Sequence, residues 1–373
     1  MPRLFFYKAS FLKKNLVKPS NPVKKNISKC SGAVKKRDLD AILISDPINI
    51  TYLTGFRLAS GYLLVTGEEE LFYFTSFLYE KEARLCKCWK VVANNDIFDR
   101  VKVYIKKLKL KKVGFEAKLL PFLEYKKIKG DLASLGIDFL ETVDLVEDLR
   151  AIKNLHEISM IKKSIKISEE AFEFISEIYD DKMTEKDLSI EIDRFLRQKG
   201  DNSIAFDTIV ASGKNSAHPH HLAVEMKMES KFVLIDLGSK YCGYCADLTR
   251  VFFWSKMPVL FSKIYDILKG ARDVGIRKIR DGVMAKEVDS AAREFIARKG
   301  FSQYFGHGLG HGVGLAVHER PYLCARNEDV LKEGMVLTVE PAIYLPNKFG
   351  VRIEDMVLVK KNKAEVLSGN ADW

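Results

Sequence analysis

Two stretches of this 373-residue chain, one hundred residues apart, carry the same pattern, and that repeat limits the folds open to it. Lys186, Asp187, Leu188, Phe195, Leu196, Lys199 and Gly200 stand opposite Lys286, Glu287, Val288, Phe295, Ile296, Lys299 and Gly300. In the first copy Leu188, Ile192, Phe195 and Leu196 recur at helical spacing, and Thr184 with Asp187 three residues on forms a capping-box-like start. Each copy is followed by a histidine-bearing segment and then by an apolar strand carrying an acid, residues 232–236 and 335–340. The repeat predicts a C-terminal domain of two similar halves, with the space between them a natural ligand site.

The acids themselves are informative. Asp236 ends an apolar run, a costly place for a carboxylate unless it is paired or metal-bound. After a turn containing Gly238 and Gly243, Asp247 opens the strand 248–253, so a hairpin would set the two acids side by side. Glu340 ends the second run, Pro341 and Pro346-Asn347 turn the chain, and Glu354 follows Val351-Arg352-Ile353. Four carboxylates gathered in one place demand compensating positive charge. Six of the seven histidines (His218, His220, His221, His307, His311 and His318) fall between residues 218 and 318, and His307 and His311 sit among the five glycines of 306–314. Glycines there are expected to let backbone approach a ligand. Oxygen-rich donors with one or two imidazoles suit Mn²⁺, Co²⁺ or Fe²⁺, and two ions match four carboxylates better than one. Two ions about 3.5 Å apart can share a hydroxide, which points to hydrolysis of an amide or ester. No nucleophile elbow and no Walker A loop competes for the role.

Upstream, Ala41-Ile42-Leu43-Ile44 reads as a buried strand stopped by Ser45-Asp46-Pro47, and 62–65 with 71–74 as a hairpin. Strands at 90–92 and 113–116 alternate with helical stretches near 76–86, 97–109 and 119–129, giving an α/β domain that ends near residue 150. A long amphipathic helix is expected over 152–180. The formal charge of +11 lies wholly in residues 1–37, which hold 11 basic residues and no acid. The remainder is neutral, which excludes a uniformly basic nucleic-acid binder. No apolar stretch approaches the ~18 residues that would span a bilayer. Cys242-Gly-Tyr-Cys245 lacks the second Cys or His pair of a structural zinc site. A chain this long needs no disulfide staples, so a reducing cytoplasm is expected.

Several segments together resemble the pita-bread metallopeptidases. They are Asp236-Leu237-Gly238, Gly243-Tyr244, Asp247-Leu248-Thr249-Arg250, the glycine–histidine run ending His318-Glu319-Arg320-Pro321, Val339-Glu340-Pro341 and Arg352-Ile353-Glu354-Asp355. Within that family, residues 212–220 (Ser-Gly-Lys-Asn-Ser-Ala-His-Pro-His) resemble the Xaa-Pro branch of aminopeptidase P and prolidase. So do Asp46-Pro47, Asn49-Ile50, Tyr52-Leu53-Thr54-Gly55-Phe56 and the linker 148–153. The resemblance covers about residues 35–370. It implies a creatinase/prolidase-type α/β N-terminal domain over 34–150 and an α+β pita-bread catalytic domain over 151–373 with two pseudo-symmetric halves. Residues 1–33 are left as a basic extension expected to be disordered.

By the same resemblance, Asp236, Asp247, His311, Glu340 and Glu354 would hold two divalent ions, Mn²⁺ foremost, with Co²⁺, Fe²⁺ or Zn²⁺ as alternatives. Asp247 and Glu354 would bridge them. A shared hydroxide would attack the carbonyl before proline, with Glu340 handling the proton. His220 and His318 would hydrogen-bond the substrate or the tetrahedral intermediate, and His307 would line the pocket. Arg352 would either orient ligand and substrate carboxylates or form a structural ion pair. His218 and His221 receive no role. The implied partners are a proline-containing peptide and a second copy of the chain, with no specific nucleic acid and no membrane span. Prolidase and aminopeptidase P activity both stay open, as do methionine aminopeptidase-like or creatinase-like hydrolysis and a non-catalytic binding module. The leader reads as a disordered or non-native extension, a transit peptide or an anionic-surface tether, and its removal is expected to leave activity intact.

Overall fold

Short buried strands joined by capped helices organise the chain in two compact units, one ending at Arg150 and the other beginning at Ala151. The computed structural model describes residues 21–57, 60–85, 89–228, 232–254 and 256–369. The first unit is built on a six-stranded sheet in the order β4-β3-β2-β1-β5-β6. These strands are β1 (Ala41–Ile44), β2 (Tyr62–Thr66), β3 (Leu71–Thr75), β4 (Lys90–Ala93), β5 (Lys112–Glu116) and β6 (Asp138–Thr142). The hairpin of β2 and β3 is antiparallel, whereas β1–β5, β5–β6 and β3–β4 are parallel. Helices α1 (Asn21–Lys36), α2 (Pro47–Thr54), α3 (Phe77–Ala83), α4 (Ile97–Lys107), α5 (Phe122–Ala133) and α6 (Leu145–Ala151) alternate with them. The expected turn at Ser45-Asp46-Pro47 is the start of α2. Asp46 accepts from Ile48 N and Asn49 N, and Pro47 supplies a first helical residue that needs no N–H partner.

The basic extension is shorter than the sequence suggested. Residues 21–33, assigned to it, belong to α1, while residues 1–20 lie outside the described residues. Ile27, Cys30 and Val34 recur at helical spacing and are buried, and the lysines that dominate the composition occupy the exposed side. Asn26 Nδ2 donates to Tyr52 O (3.2 Å) and Ser31 Oγ to Thr66 O (2.8 Å), tying the helix to the sheet unit. The cationic residues masked a three-residue apolar stripe.

The second unit repeats a pair of helices followed by strands. Its first half holds α7 (Leu155–Ile178), α8 (Glu185–Lys199), β7 (Ile209–Ser212), β8 (Phe232–Leu237), β9 (Lys240–Tyr241), β10 (Tyr244–Cys245) and β11 (Leu248–Phe253). The second holds α9 (Val259–Lys278), α10 (Ala285–Arg298), β12 (Gly310–Gly312), β13 (Glu319–Leu323), β14 (Val336–Val339), β15 (Ala342–Leu345), β16 (Phe349–Arg352), β17 (Asp355–Val359) and β18 (Ala364–Val366). Strands β11-β8-β7 form one antiparallel sheet and β13-β12-β14-β17-β18 another. Apart from Asp236, strand β8 is apolar because both its faces are covered. Val233, Ile235 and Leu237 join the core around α7 and α8, whereas Phe232 and Leu234 join the core around α9 and α10.

The duplication extends to individual bonds. Lys186 N donates to Val224 O and Lys286 N to Asn327 O, and the side chains of these lysines pair with Glu225 and Glu328. Isolated bridges Thr184–Lys227 and Met284–Val330 complete the correspondence. For the first unit, Ile27→Ala should cost about 2–4 kcal/mol as a buried truncation, read as a lower urea midpoint. An unchanged midpoint would mean that α1 lies outside the cooperative unit, and the deletion of 1–33 would then be silent.

Candidate metal centre

Strand geometry brings the acids of the two halves together. Asp236 lies on β8 opposite Thr249 of β11, and Asp247 immediately precedes β11. His311 is the central residue of β12, Glu340 follows β14, and Glu354 lies between β16 and β17. Potential ligand atoms fall into three overlapping groups, each within 4.8 Å: Asp236–Asp247–Glu354, His311–Glu340–Glu354 and Asp247–His311–His318. The first two contain all five residues that the resemblance implies as ligands. The third brings in His318, which the sequence had assigned to the substrate side.

The surrounding contacts orient these donors. Arg352 is 4% exposed. Its Nη2 donates to Asp236 Oδ2 (2.6 Å), its Nη1 to Tyr344 OH (2.7 Å) and Pro219 O (3.2 Å), and its Nε to Thr249 Oγ1 (3.0 Å). Thr249 Oγ1 in turn donates to Glu354 Oε2 at 2.8 Å. These contacts pair Arg352 with Asp236, one of the implied ligand carboxylates. His311 Nδ1 donates to Gly312 O (3.1 Å), so Nε2 is the nitrogen left to face Glu340 Oε1 (3.3 Å) and Asp247 Oδ2 (3.5 Å). Behind Glu354, Arg250 donates to its carbonyl and pairs with Asp355 (2.9 Å), whose other oxygen meets Arg272 at 3.0 Å.

The electrostatics follow from burial. Desolvation, and after it the charges of the neighbouring carboxylates, pushes Asp247 and Glu354 well above the usual carboxylate range. Asp236 is raised by burial against the pull of Arg352. In Glu340 burial works the same way, but the hydrogen bond and charge of His311 outweigh it and lower its value. Burial disfavours the charged form of His311, yet Glu340 holds its pKa above the ordinary value. Asp236 Oδ1 is buried with no hydrogen-bond partner in the protein. Three buried carboxylates and the half-buried Glu340, set against one guanidinium with one oxygen left over, are a donor set that fits divalent cations.

The remaining sequence candidates are spread around this cluster. His318 is exposed at its surface, yet partial desolvation of its ring, followed by the charge of His311, lowers its pKa; the charge of His220, also exposed, acts in the same direction. His307 Nδ1 donates to Gly308 O (2.7 Å) and its Nε2 accepts from Tyr344 OH (3.3 Å). His218 is exposed, and His221 pairs with Glu185. The glycine run is explained differently from expectation. A Cβ at Gly310 would lie 2.1 Å from Thr338 O and one at Gly312 2.3 Å from Arg320 O, so close strand approach requires these glycines. Sequence reasoning missed Thr249, Tyr344 and the pair Asp289–Arg293, whose guanidinium holds Phe305 O and His307 O. The signal for the last was present: Asp289 sits within the apolar stripe of Val288, Ala292 and Ile296, four residues before an arginine.

The sequence profile of metallopeptidase family M24 matches residues 159–361, and that of the Creatinase/Prolidase N-terminal domain matches 27–152. The chain belongs to family M24. It is 36% identical over 339 residues to an Xaa-Pro dipeptidase of Pyrococcus horikoshii, covering 89% of this chain and 93% of that protein. An Xaa-Pro dipeptidase structure from Bacillus anthracis superposes with a TM-score of 0.88 at 34% identity, covering 94% of this chain and 99% of that one. An X-Pro aminopeptidase structure from Thermotoga maritima gives a TM-score of 0.83 at 33% identity, covering 92% and 99%. As a member of M24 the protein is a hydrolase of the peptidase class, with the creatinase/prolidase and pita-bread domains expected from its sequence.

The raised values of Asp247 and Glu354 mean that the folded chain holds more protons than the unfolded one, whose carboxylates titrate near about 4. The stability they contribute is therefore full at low pH and declines as pH rises through the raised values. His311 acts in the same direction, losing its contribution as pH climbs above about 6.5 through its folded value. Glu340 opposes them only at the acid end, its contribution being lost as pH falls below about 4. Metal-free protein should melt lower at about pH 8 than at about pH 6, and saturating Mn²⁺ should raise the melting temperature more at the higher pH. A scanning fluorimetry series in which metal changes nothing at either pH would contradict the fit.

Proposed function

We propose that the protein hydrolyses the peptide bond preceding proline, in Xaa-Pro dipeptides or at the N-terminus of longer Xaa-Pro peptides, using two divalent ions. Mn²⁺ is the first choice, with Co²⁺, Fe²⁺ or Zn²⁺ as alternatives. The observation that carries this reading is the set of overlapping donor groups, in which Asp236, Asp247, His311, Glu340 and Glu354 share members within 4.8 Å. Similarity to proteins named as Xaa-Pro dipeptidases and an X-Pro aminopeptidase supplies the substrate class. It favours this class over creatine hydrolysis, methionine removal or binding alone.

Divalent ions bound there would activate water at neutral pH and draw charge from the scissile carbonyl. The chain's own groups do the rest. Asp247 and Glu354 each belong to two of the donor groups and are the proposed bridging ligands. Glu340, whose charged form His311 favours, is the proposed group that takes the proton of the attacking water and passes it to the leaving imino nitrogen. His220 and His318 are the proposed hydrogen-bond partners of the substrate carbonyl as it becomes tetrahedral, and the lowered pKa of His318 keeps it neutral near pH 7. His307, hydrogen-bonded to Tyr344, is proposed to line the pocket. Arg352 orients Asp236 and opposes the effect of burial on its charge. The proposal includes a homodimer, carried over from the resemblance, and a cytoplasmic location, carried over from the absence of any need for disulfide staples. Among the described residues no helix is long and apolar enough to cross a membrane.

The test is an assay of metal-reconstituted protein on an Xaa-Pro dipeptide, an X-Pro-Y peptide, a methionyl peptide and creatine. Cleavage before proline is expected, and the relative rates on the first two substrates distinguish dipeptidase from aminopeptidase. His318→Ala and His220→Ala should each lower kcat/KM by about 10²–10³-fold, as loss of one oxyanion donor does. Absence of cleavage of both proline peptides with Mn²⁺ or Co²⁺ would overturn the reading.

A further inference from the structure

His221 was given no part in the chemistry, and the carboxylate it meets, Glu185, lies in the first turn of α8. Glu185 is 1% exposed, and both its oxygens are engaged. Ser212 N (2.7 Å) and Asn215 Nδ2 (3.0 Å) donate to Oε1, while His221 Nε2 (2.7 Å) and Val224 N (3.3 Å) donate to Oε2. All four donors belong to one segment, residues 212–224. An acid in a first helical turn ordinarily serves its own helix. In α8 that task is already met, because Thr184 and Asp187 form a complete capping box.

The opposite side of the segment is held by the metal centre's own scaffold. Gly350 N donates to Ser216 Oγ (2.9 Å), and a Cβ on Gly350 would lie 2.1 Å from Ser216 O. Arg352 Nη1 donates to Pro219 O with the same guanidinium that grips Asp236. Pro219 and His221 are thus anchored from two directions, and the residue between them is His220. Its exposed imidazole is close enough to His318 for its charge to be felt there.

The internal repeat shows that the fold does not need this carboxylate. Ala285 stands where Glu185 stands, and α10 begins with the same pair of backbone bonds, Ala285 N to Asp329 O and Lys286 N to Asn327 O. We propose that Glu185, through His221, Ser212, Asn215 and Val224, is the positioning residue that holds His220 at the substrate side of the metal centre. This deepens the peptidase reading and rests on the role given there to His220.

The test combines kinetics, metal binding and hydrogen exchange on the full chain. Glu185→Ala should lower kcat/KM for the preferred proline peptide by about 10–100-fold, the scale expected when a reacting group is misplaced. Its Mn²⁺ affinity and stoichiometry should be unchanged, and amide exchange should quicken across 212–224. In a His220→Ala background, removing Glu185 should cost no more than about twofold further, because both changes act on one group. Glu185→Gln keeps an acceptor for Ser212 and Asn215 but opposes Val224 N–H with an amide, so it should recover part of the loss. Should Glu185→Ala fail to fold, Glu185→Gln and His221→Asn carry the same cycle.

Additive losses in the double variant, weakened metal binding, or unchanged exchange over 212–224 would overturn the proposal. Fully active His220→Ala with quickened exchange in Glu185→Ala would instead remove the role of His220, and with it the catalytic purpose of the clamp. If the wild type cleaves no proline peptide, the peptidase reading falls, while exchange still decides whether Glu185 holds the segment.

Discussion

Four carboxylates, Asp236, Asp247, Glu340 and Glu354, converge around one guanidinium and one imidazole where water is largely excluded. Without a cation such a cluster works against folding, since each buried charge loses hydration and repels its neighbours. Much of the second unit can be understood as the means of holding that arrangement. Two related sets of helices and strands deliver two acids each. Arg352 and Thr249 cross between them, linking Asp236 of one half to Glu354 of the other. Local stability is given up at the place where chemistry needs charge density, and the packed cores on either side of β8 supply the compensation.

Around the donors lies a shell of ion pairs that act on the backbone. Arg250, Arg272 and Asp355 fix the backbone behind Glu354. Asp289 and Arg293 fix the carbonyls beside His307. Glu185 fixes the segment on either side of His220. Each uses a buried or half-buried charge satisfied by several hydrogen bonds, the condition under which buried charge orders a structure instead of weakening it. The two halves share a fold but solve this problem with different residues.

Much of this was legible in the sequence. The spacing of the helix repeat, the acids at strand ends and the crowding of histidines into one domain arise from local periodicity and burial cost, which a single chain displays. What escaped depends on contacts between distant residues. Thr249 is an ordinary strand residue until the register sets it opposite Asp236. The glycines of 306–314 were read as making room for a ligand, whereas Gly310 and Gly312 make room for neighbouring strands. Helix α1 was concealed by composition, since its lysines outnumber the buried Ile27, Cys30 and Val34 that attach it.

The central claim is that the carboxylate cluster is a two-ion site. The most direct measurement is the number of Mn²⁺ ions bound per chain, from calorimetric titration of metal-free protein checked by elemental analysis at equilibrium. Two ions are expected, with the count reduced in Glu354→Gln because that carboxylate belongs to two donor groups. A single ion, or none at millimolar metal, would contradict the claim.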